Sequence, residues 1–350
     1  MIMKNYYSRR KNAINIIKVI AFTAVFIILL QSISVLVFPN KTAVIYSNKK
    51  RDAYSFINEP RNTIQIAAVG NSNLYSGFSP IDFWKKQRIT SVVCASAGQT
   101  VKESRLLIDQ LFQYQKPKLV LIEADMIYGY SIRSKNDVNS INSLNEFFTK
   151  MNPDLFKQDV ENIFTVFKYH NCIRGKHNKN GVLNTYGYKY NSKKVPLKSN
   201  KYMIPCNSVE PISDYVENQL DLLIKKCKEN NSDVLIVAMP AASSWDYERH
   251  NAIKKYASKS KVPFIDLNLH CDEIGIDMKN CYRDKGIHLN YKGAKAATEF
   301  LGKYISSQYH INPCSDEAIK NDWDNNCAAF ELFRNKHKPK KDTTANGQTE

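Results

Sequence analysis

Between residues 62 and 310, short apolar runs alternate with longer amphipathic ones, and a charge-free stretch precedes them all. This pattern predicts an α/β domain with a parallel sheet, standing behind one transmembrane helix. Strands buried on both faces read as continuous apolar runs, and the helices that cross between them keep one polar side.

The charge-free stretch is Val19 to Phe38, VIAFTAVFIILLQSISVLVF. At ~1.5 Å rise per residue it matches a bilayer core of ~30 Å. Lys4, Arg9, Arg10, Lys11 and Lys18 precede it, which keeps residues 1–18 cytoplasmic by the positive-inside rule. No small-x-small cleavage site follows, so residues 19–38 are expected to remain as an anchor in the cell membrane. Residues 39–61 then form a linker, and everything beyond lies outside the cytoplasm.

Within 62–310 the first strand is expected at IQIAAVG (64–70) and the second at TSVVCASAG (90–98). A helix follows from Val101 to Gln115, with Leu106, Leu107, Leu111 and Phe112 at helical spacing. Further strands are expected at 118–128, 232–240 and 262–268, the last two led by helical stretches near 213–229 and 246–258. The run YKGAKAATEFLGKYI closes the domain. Residues 131–211 break the alternation. They are rich in Asn, Lys, Ser and Tyr, with a weak helical patch at 153–169. They read as an insertion, either folded over one end of the sheet or a solvated excursion. The extension 311–350 ends in a polar tail for which disorder is expected from about 335.

The formal net charge is +17, which suits an anionic partner. With the domain outside the cytoplasm, nucleic acid is excluded and a cell-surface polymer or glycan takes its place. The same location lets the eight cysteines pair. Cys271 with Cys281 and Cys314 with Cys327 are near enough in sequence to close small loops, whereas Cys94 lies in an apolar run and reads as a buried thiol. No Cys/His cluster has zinc spacing, so no metal is expected.

Two segments carry candidate chemistry. Gly70-Asn71-Ser72-Asn73-Leu74 ends the first strand on a glycine and presents a serine at once. Ser72 is either a helix N-cap or a displayed nucleophile. An activated serine needs a base, and His170, His177, His250, His270, His288, His310 and His337 are the candidates. His170 and His177 lie in the insertion, His337 in the tail and His250 in a helix expected at the surface. His288 stands in RDKGIHLN, four residues after Asp284, on a glycine-containing loop that opens the last helix. Such a loop can bend the acid back onto the imidazole. Glu123 and Asp125 read as a strand end in solvent, and Trp245 either lines a pocket or packs.

These blocks resemble the SGNH (GDSL-like) hydrolases: GNSNL after the first strand, Gly98 after the second, and Asp284 with His288 near the C-terminus. HLNYKGA after the acid is similar to the membrane-anchored bacterial branch that includes the D-alanyl-lipoteichoic acid protein DltD and polysaccharide O-acetylation proteins. The resemblance covers roughly 62–130 and 213–305. It implies a flavodoxin-like three-layer α/β/α fold, with Ser72 as nucleophile, His288 as base and Asp284 as acid. It also implies an oxyanion hole from the backbone N–H groups of Ser72 and Gly98. Two positions depart from the family pattern. The acid commonly stands three residues before the histidine, where this chain has Lys285. The usual third-block asparagine, an oxyanion donor, is missing, and Gln99 beside Gly98 is the candidate substitute. The implied function is an acyl esterase or O-acyltransferase that moves an acetyl or D-alanyl group on a cell-surface polymer. No cofactor is implied, and a membrane-bound acyl-exporting partner is expected by analogy. The alternative is an inactive module of the same fold that binds or scaffolds envelope components.

Overall fold

A computed structural model describes residues 2–37, 51–129, 183–197 and 202–337, together with 160, 164 and 166. The helical patch expected at 153–169 and most of the polar tail lie outside the described residues. The chain forms two compact units, residues 1–48 with 132–177, and residues 49–131 with 178–350.

In the first unit, helix α1 runs Ile2–Val37. Its segment Lys11–Ser34 has a mean hydropathy of 2.5 and is long and apolar enough to cross a membrane. The hydroxyls of Thr23 and Ser32 donate to the carbonyls of Val19 and Ile28, each at 2.8 Å. Polar groups satisfied within their own helix cost little in hydrocarbon.

The second unit is built on five strands: β1 Ile66–Gly70, β2 Ser91–Ala95, β3 Leu119–Glu123, β4 Asp233–Ala238 and β5 Phe264–Asp266. Their order is β2-β1-β3-β4-β5, and every neighbouring pair is parallel. This is the flavodoxin-like doubly wound order. The strand order reverses between β1 and β3, and in such sheets ligands bind outside the carboxyl ends at that switch point.

Helices α2 Ser72–Gly77 and α3 Pro80–Gln87 follow β1, and α4 Val101–Leu111 follows β2. Helices α5 Asp214–Glu229 and α6 Tyr247–Ser260 lead into β4 and β5, and α7 Tyr291–Gln308 and α8 Glu317–Lys336 end the unit. On one face α4 packs against α5; on the other α7 packs against α2 and α3. Every residue of β1, β2 and β3 is buried, which is why these strands read as unbroken apolar runs.

Several expectations change. The third strand stops at Glu123 and gives way to a short helical turn, Asp125–Ile127. Arg51–Ile57, expected as the end of a linker, is a helical turn against β2 with Phe56 fully buried. The C-terminal extension is no appendage through Lys336. Trp323 of α8 stacks on Tyr186 at 3.7 Å between ring centroids, and Phe330 is fully buried. The seven described cysteines, Cys271, Cys281, Cys314 and Cys327 among them, are all free thiols.

Residues 183–197 of the insertion run as a strap that turns at Tyr186 and Gly187, both left-handed (φ 52° and 89°). The Val93 N–H donates to the Tyr186 carbonyl along the outer edge of β2, and the Lys189 N–H donates to Tyr75 of α2, both at 2.8 Å. Further on, the N–H groups of Val195 and Leu197 donate to the carbonyls of Tyr282 and Met278, each at 3.0 Å. This part of the insertion is therefore integral to the domain.

Candidate active site

Ser72 stands two residues past the last residue of β1. The N-cap of α2 is Asn71, whose side-chain oxygen accepts from the Asn73 N–H at 2.9 Å. Ser72 is the first helical residue, half-buried, and its hydroxyl is not used for capping. Gly70 is required by close approach, because a Cβ there would stand 2.4 Å from Cβ of Glu123.

Glu123 is fully buried, contrary to a strand end in solvent. Its carboxylate accepts the N–H groups of Asp125 at 3.0 Å and Met126 at 3.1 Å, and also that of Asn71. It thereby caps the turn after β3 and ties it to the serine turn. Burial pushes its pKa well above the usual carboxylate range, against those N–H donors. Asp125 is also raised, first by burial, with the Asn71 amide and Arg249 opposing.

Asp284 and His288 come together. Asp284 Oδ2 bonds His288 Nδ1, and Asp284 Oδ1 accepts the His288 backbone N–H at 2.7 Å. The extra residue between them is absorbed by two consecutive left-handed positions, Lys285 (φ 62°) and Gly286 (φ 95°). A Cβ on Gly286 would also meet Ser243 Oγ at 2.7 Å and Leu197 at 3.0 Å. Asn290 caps α7 directly behind the loop: its side-chain oxygen accepts from Gly293 N–H at 3.2 Å, and its amide donates to Asn280 and Lys193. The Asp284 contact leaves the proton on Nδ1 and the lone pair on Nε2. His288 Nε2 is enclosed and makes no hydrogen bond, so no hydrogen bond joins it to Ser72 Oγ. The Gly286 carbonyl of the acid–base loop accepts the Ser243 N–H at 3.0 Å, which ties the loop to the segment that follows the carboxyl end of β4.

Gly98 lies three residues beyond Ala95, the register partner of Gly70, in a turn closed by Gln99 N–H to Ser96 at 3.2 Å. It is exposed, with φ 63°. Gln99 does not offer a free amide. Its nitrogen donates to the Cys94 carbonyl and to Ser104 Oγ, both at 2.9 Å, and its oxygen accepts from Ser96 Oγ at 3.0 Å. It is a latch inside the β2–α4 turn, and in this conformation no N–H remains for an oxyanion.

Of the other histidines, His250 is buried, not at the surface, with Nδ1 on Asp266 at 2.8 Å. Trp245 packs: it is 3% exposed, and its indole N–H donates to Asp266 at 2.9 Å. Sequence reasoning missed Asn71, Glu123, Asp125 and Arg249 as parts of the site. The position of Glu123 and Asp125 at the carboxyl end of β3, beside the switch point, was the available signal; for Arg249 on α6 there was none.

No family model and no curated protein matches this chain. Among solved structures it is similar to a GDSL-like lipase from Bacteroides thetaiotaomicron (14% identity, 75% of this chain and 100% of that one, TM-score 0.37). It is also similar to a lipase/acylhydrolase from Enterococcus faecalis (10% identity, 72% and 100%, TM-score 0.37). A third is the psychrotrophic esterase EstA from Pseudoalteromonas (10% identity, 69% and 97%, TM-score 0.36). At TM-scores below 0.5 these likenesses carry no weight for the chemistry of this chain.

Proposed function

We propose that the chain is a membrane-anchored, SGNH-type acyl esterase or O-acyltransferase acting outside the cytoplasm on a cell-surface polymer. The observation that carries this reading is the Asp284–His288 pair, tied through Gly286 to the segment after β4, with Nε2 unspent. Ser72 Oγ attacks the acyl carbonyl while His288 Nε2 takes its proton. Asp284 keeps the ring oriented and stabilises the imidazolium. The backbone N–H groups of Ser72 and Gly98 meet the oxyanion. Collapse expels the donor alcohol, which takes the proton from His288 and leaves acyl-Ser72. Water then releases the acyl group in an esterase, or a polymer hydroxyl accepts it in a transferase, with its proton passing to Nε2. The lysine and arginine residues before the apolar segment support a cytoplasmic N-terminus, and the +17 charge suits an anionic acceptor such as teichoic acid or capsule. A membrane-bound partner that exports the acyl group fits the transferase version.

One observation favours a second reading, an inactive module that binds such a polymer: Nε2 and Ser72 Oγ are not hydrogen-bonded. Catalytic contacts are often long before substrate binds, so a direct test separates the two. A fluorophosphonate should label wild type at Ser72, and Ser72→Ala should abolish both the label and hydrolysis of p-nitrophenyl acetate. Saturable binding of lipoteichoic acid without any label would make the protein a binding module.

A further inference from the structure

The serine turn and the acid–base loop are distant in sequence, and no hydrogen bond joins Ser72 to His288. A continuous polar path nevertheless connects the two segments. The Asn71 side-chain oxygen holds the first turn of α2, and its amide nitrogen donates to Asp125 Oδ2 at 2.7 Å. Asp125 Oδ1 stands 3.5 Å from Nη1 of Arg249. The same Nη1 donates to the Ser244 carbonyl. The adjacent residue, Ser243, grips the acid–base loop twice: its N–H donates to Gly286 at 3.0 Å and its hydroxyl donates to Lys285 at 2.6 Å. Two residues on stand Asp284's partner His288 and its hydrogen bonds.

Arg249 suits the middle of such a path. Its Nε donates to Glu210 at 2.8 Å, and its guanidinium lies over the Tyr128 ring at 4.7 Å. A planar fork held on both sides presents its remaining N–H groups in fixed directions. The side chains of Arg249 and Asp125 are only 22% and 14% exposed, so their attraction is weakly screened.

We propose that Asn71, Asp125, Arg249 and Ser243 form a bridge that fixes the spacing between the serine turn and the acid–base loop. Asp125 and Arg249 are then positioning residues for the reaction. The inference rests on the reading of Ser72 and His288 as nucleophile and base. The groups that face Asp125 are Asn71, Ser244, Arg249, Glu123 and His288, with Glu210 beyond Arg249. The bridge needs Asp125 ionised, and burial raises its pKa, so the bridge loosens earlier on acidification than an exposed aspartate would.

The test uses the full chain in detergent, with fluorophosphonate labelling rates and p-nitrophenyl acetate kinetics. Arg249→Ala and Asp125→Ala should each lower kcat at least about tenfold with KM within about twofold. The double variant should be no worse than the worse single one, because both remove the same bridge. Asp125→Asn keeps an acceptor for Asn71 but not the charge facing Arg249, so its loss should be intermediate. Asn251→Ala removes two other anchors of α6, the bonds to the Cys206 and Ser208 carbonyls, and should leave kcat unchanged. If Arg249→Ala does not fold, Arg249→Lys with Asp125→Asn gives the same comparison. Additive losses, or kcat values equal to wild type, would overturn the bridge while Ser72 still labels. A wild type that takes no label at Ser72 overturns the functional reading and the bridge with it.

Discussion

The turn that carries Ser72 is held from within its own strand–helix unit and its neighbouring strand. Gly70 permits the approach of β3, Asn71 caps α2, and Glu123 collects the N–H groups beneath them. The loop that carries Asp284 and His288 is held from outside. Val195 and Leu197 of the strap flank it, Ser243 grips its left-handed corner, and Asn290 ties its end to Lys193. Half of the candidate site is thus a sheet feature, and half depends on a segment that interrupts the α/β alternation. The two halves should respond differently to mutation: damage to the turn should cost stability together with activity, and damage to the loop should cost activity first.

The largest separation should come from the loop. Asp284→Asn should lower kcat by about 10⁴, as expected when the base loses its orienting acid. Its melting temperature should stay near wild type, because the side chain is 36% exposed. An activity within a few-fold of wild type would remove Asp284 from the site and leave a Ser72–His288 dyad.

Gly286→Val tests the left-handed corner. A β-branched residue at φ 95°, against Ser243 Oγ, must displace the loop. We expect an activity loss of about a hundredfold and a cost of about 1–3 kcal/mol in urea unfolding. Gly70→Ala probes the other half by collision with Glu123, and there a similar about 1–3 kcal/mol should accompany any activity loss. Full activity in a destabilised Gly70→Ala protein would show that the serine turn tolerates movement, contrary to the comparison.

The smallest effect should come from the strap. Val195→Pro removes the N–H that the Tyr282 carbonyl accepts, a bond of about 1 kcal/mol. A several-fold fall in kcat with a melting temperature lowered by only about 2–4 °C would identify the strap as a support of the acid–base loop. A loss of stability alone would make it a cover for β2 and nothing more.

Five strands, their parallel arrangement, the apolar N-terminal helix and a loop able to bend Asp284 onto His288 were legible in the residues. The physical reason is locality. Burial on both faces writes an unbroken apolar run, a bilayer-length helix writes twenty uncharged residues, and an acid four residues before a histidine, with a glycine between, can close a loop on itself. That Asn71 and not Ser72 caps α2, that Gln99 is spent as a latch, and that Glu123 is buried beneath the turn emerged with the folded chain. So did the reach of Arg249 to Asp125 and the support of the acid–base loop by residues 183–197. These contacts join segments far apart in the chain, and a polar side chain carries no local mark of the distant partner that will satisfy it. The burial that makes such a partner necessary exists only once the sheet and its helices have closed around the site.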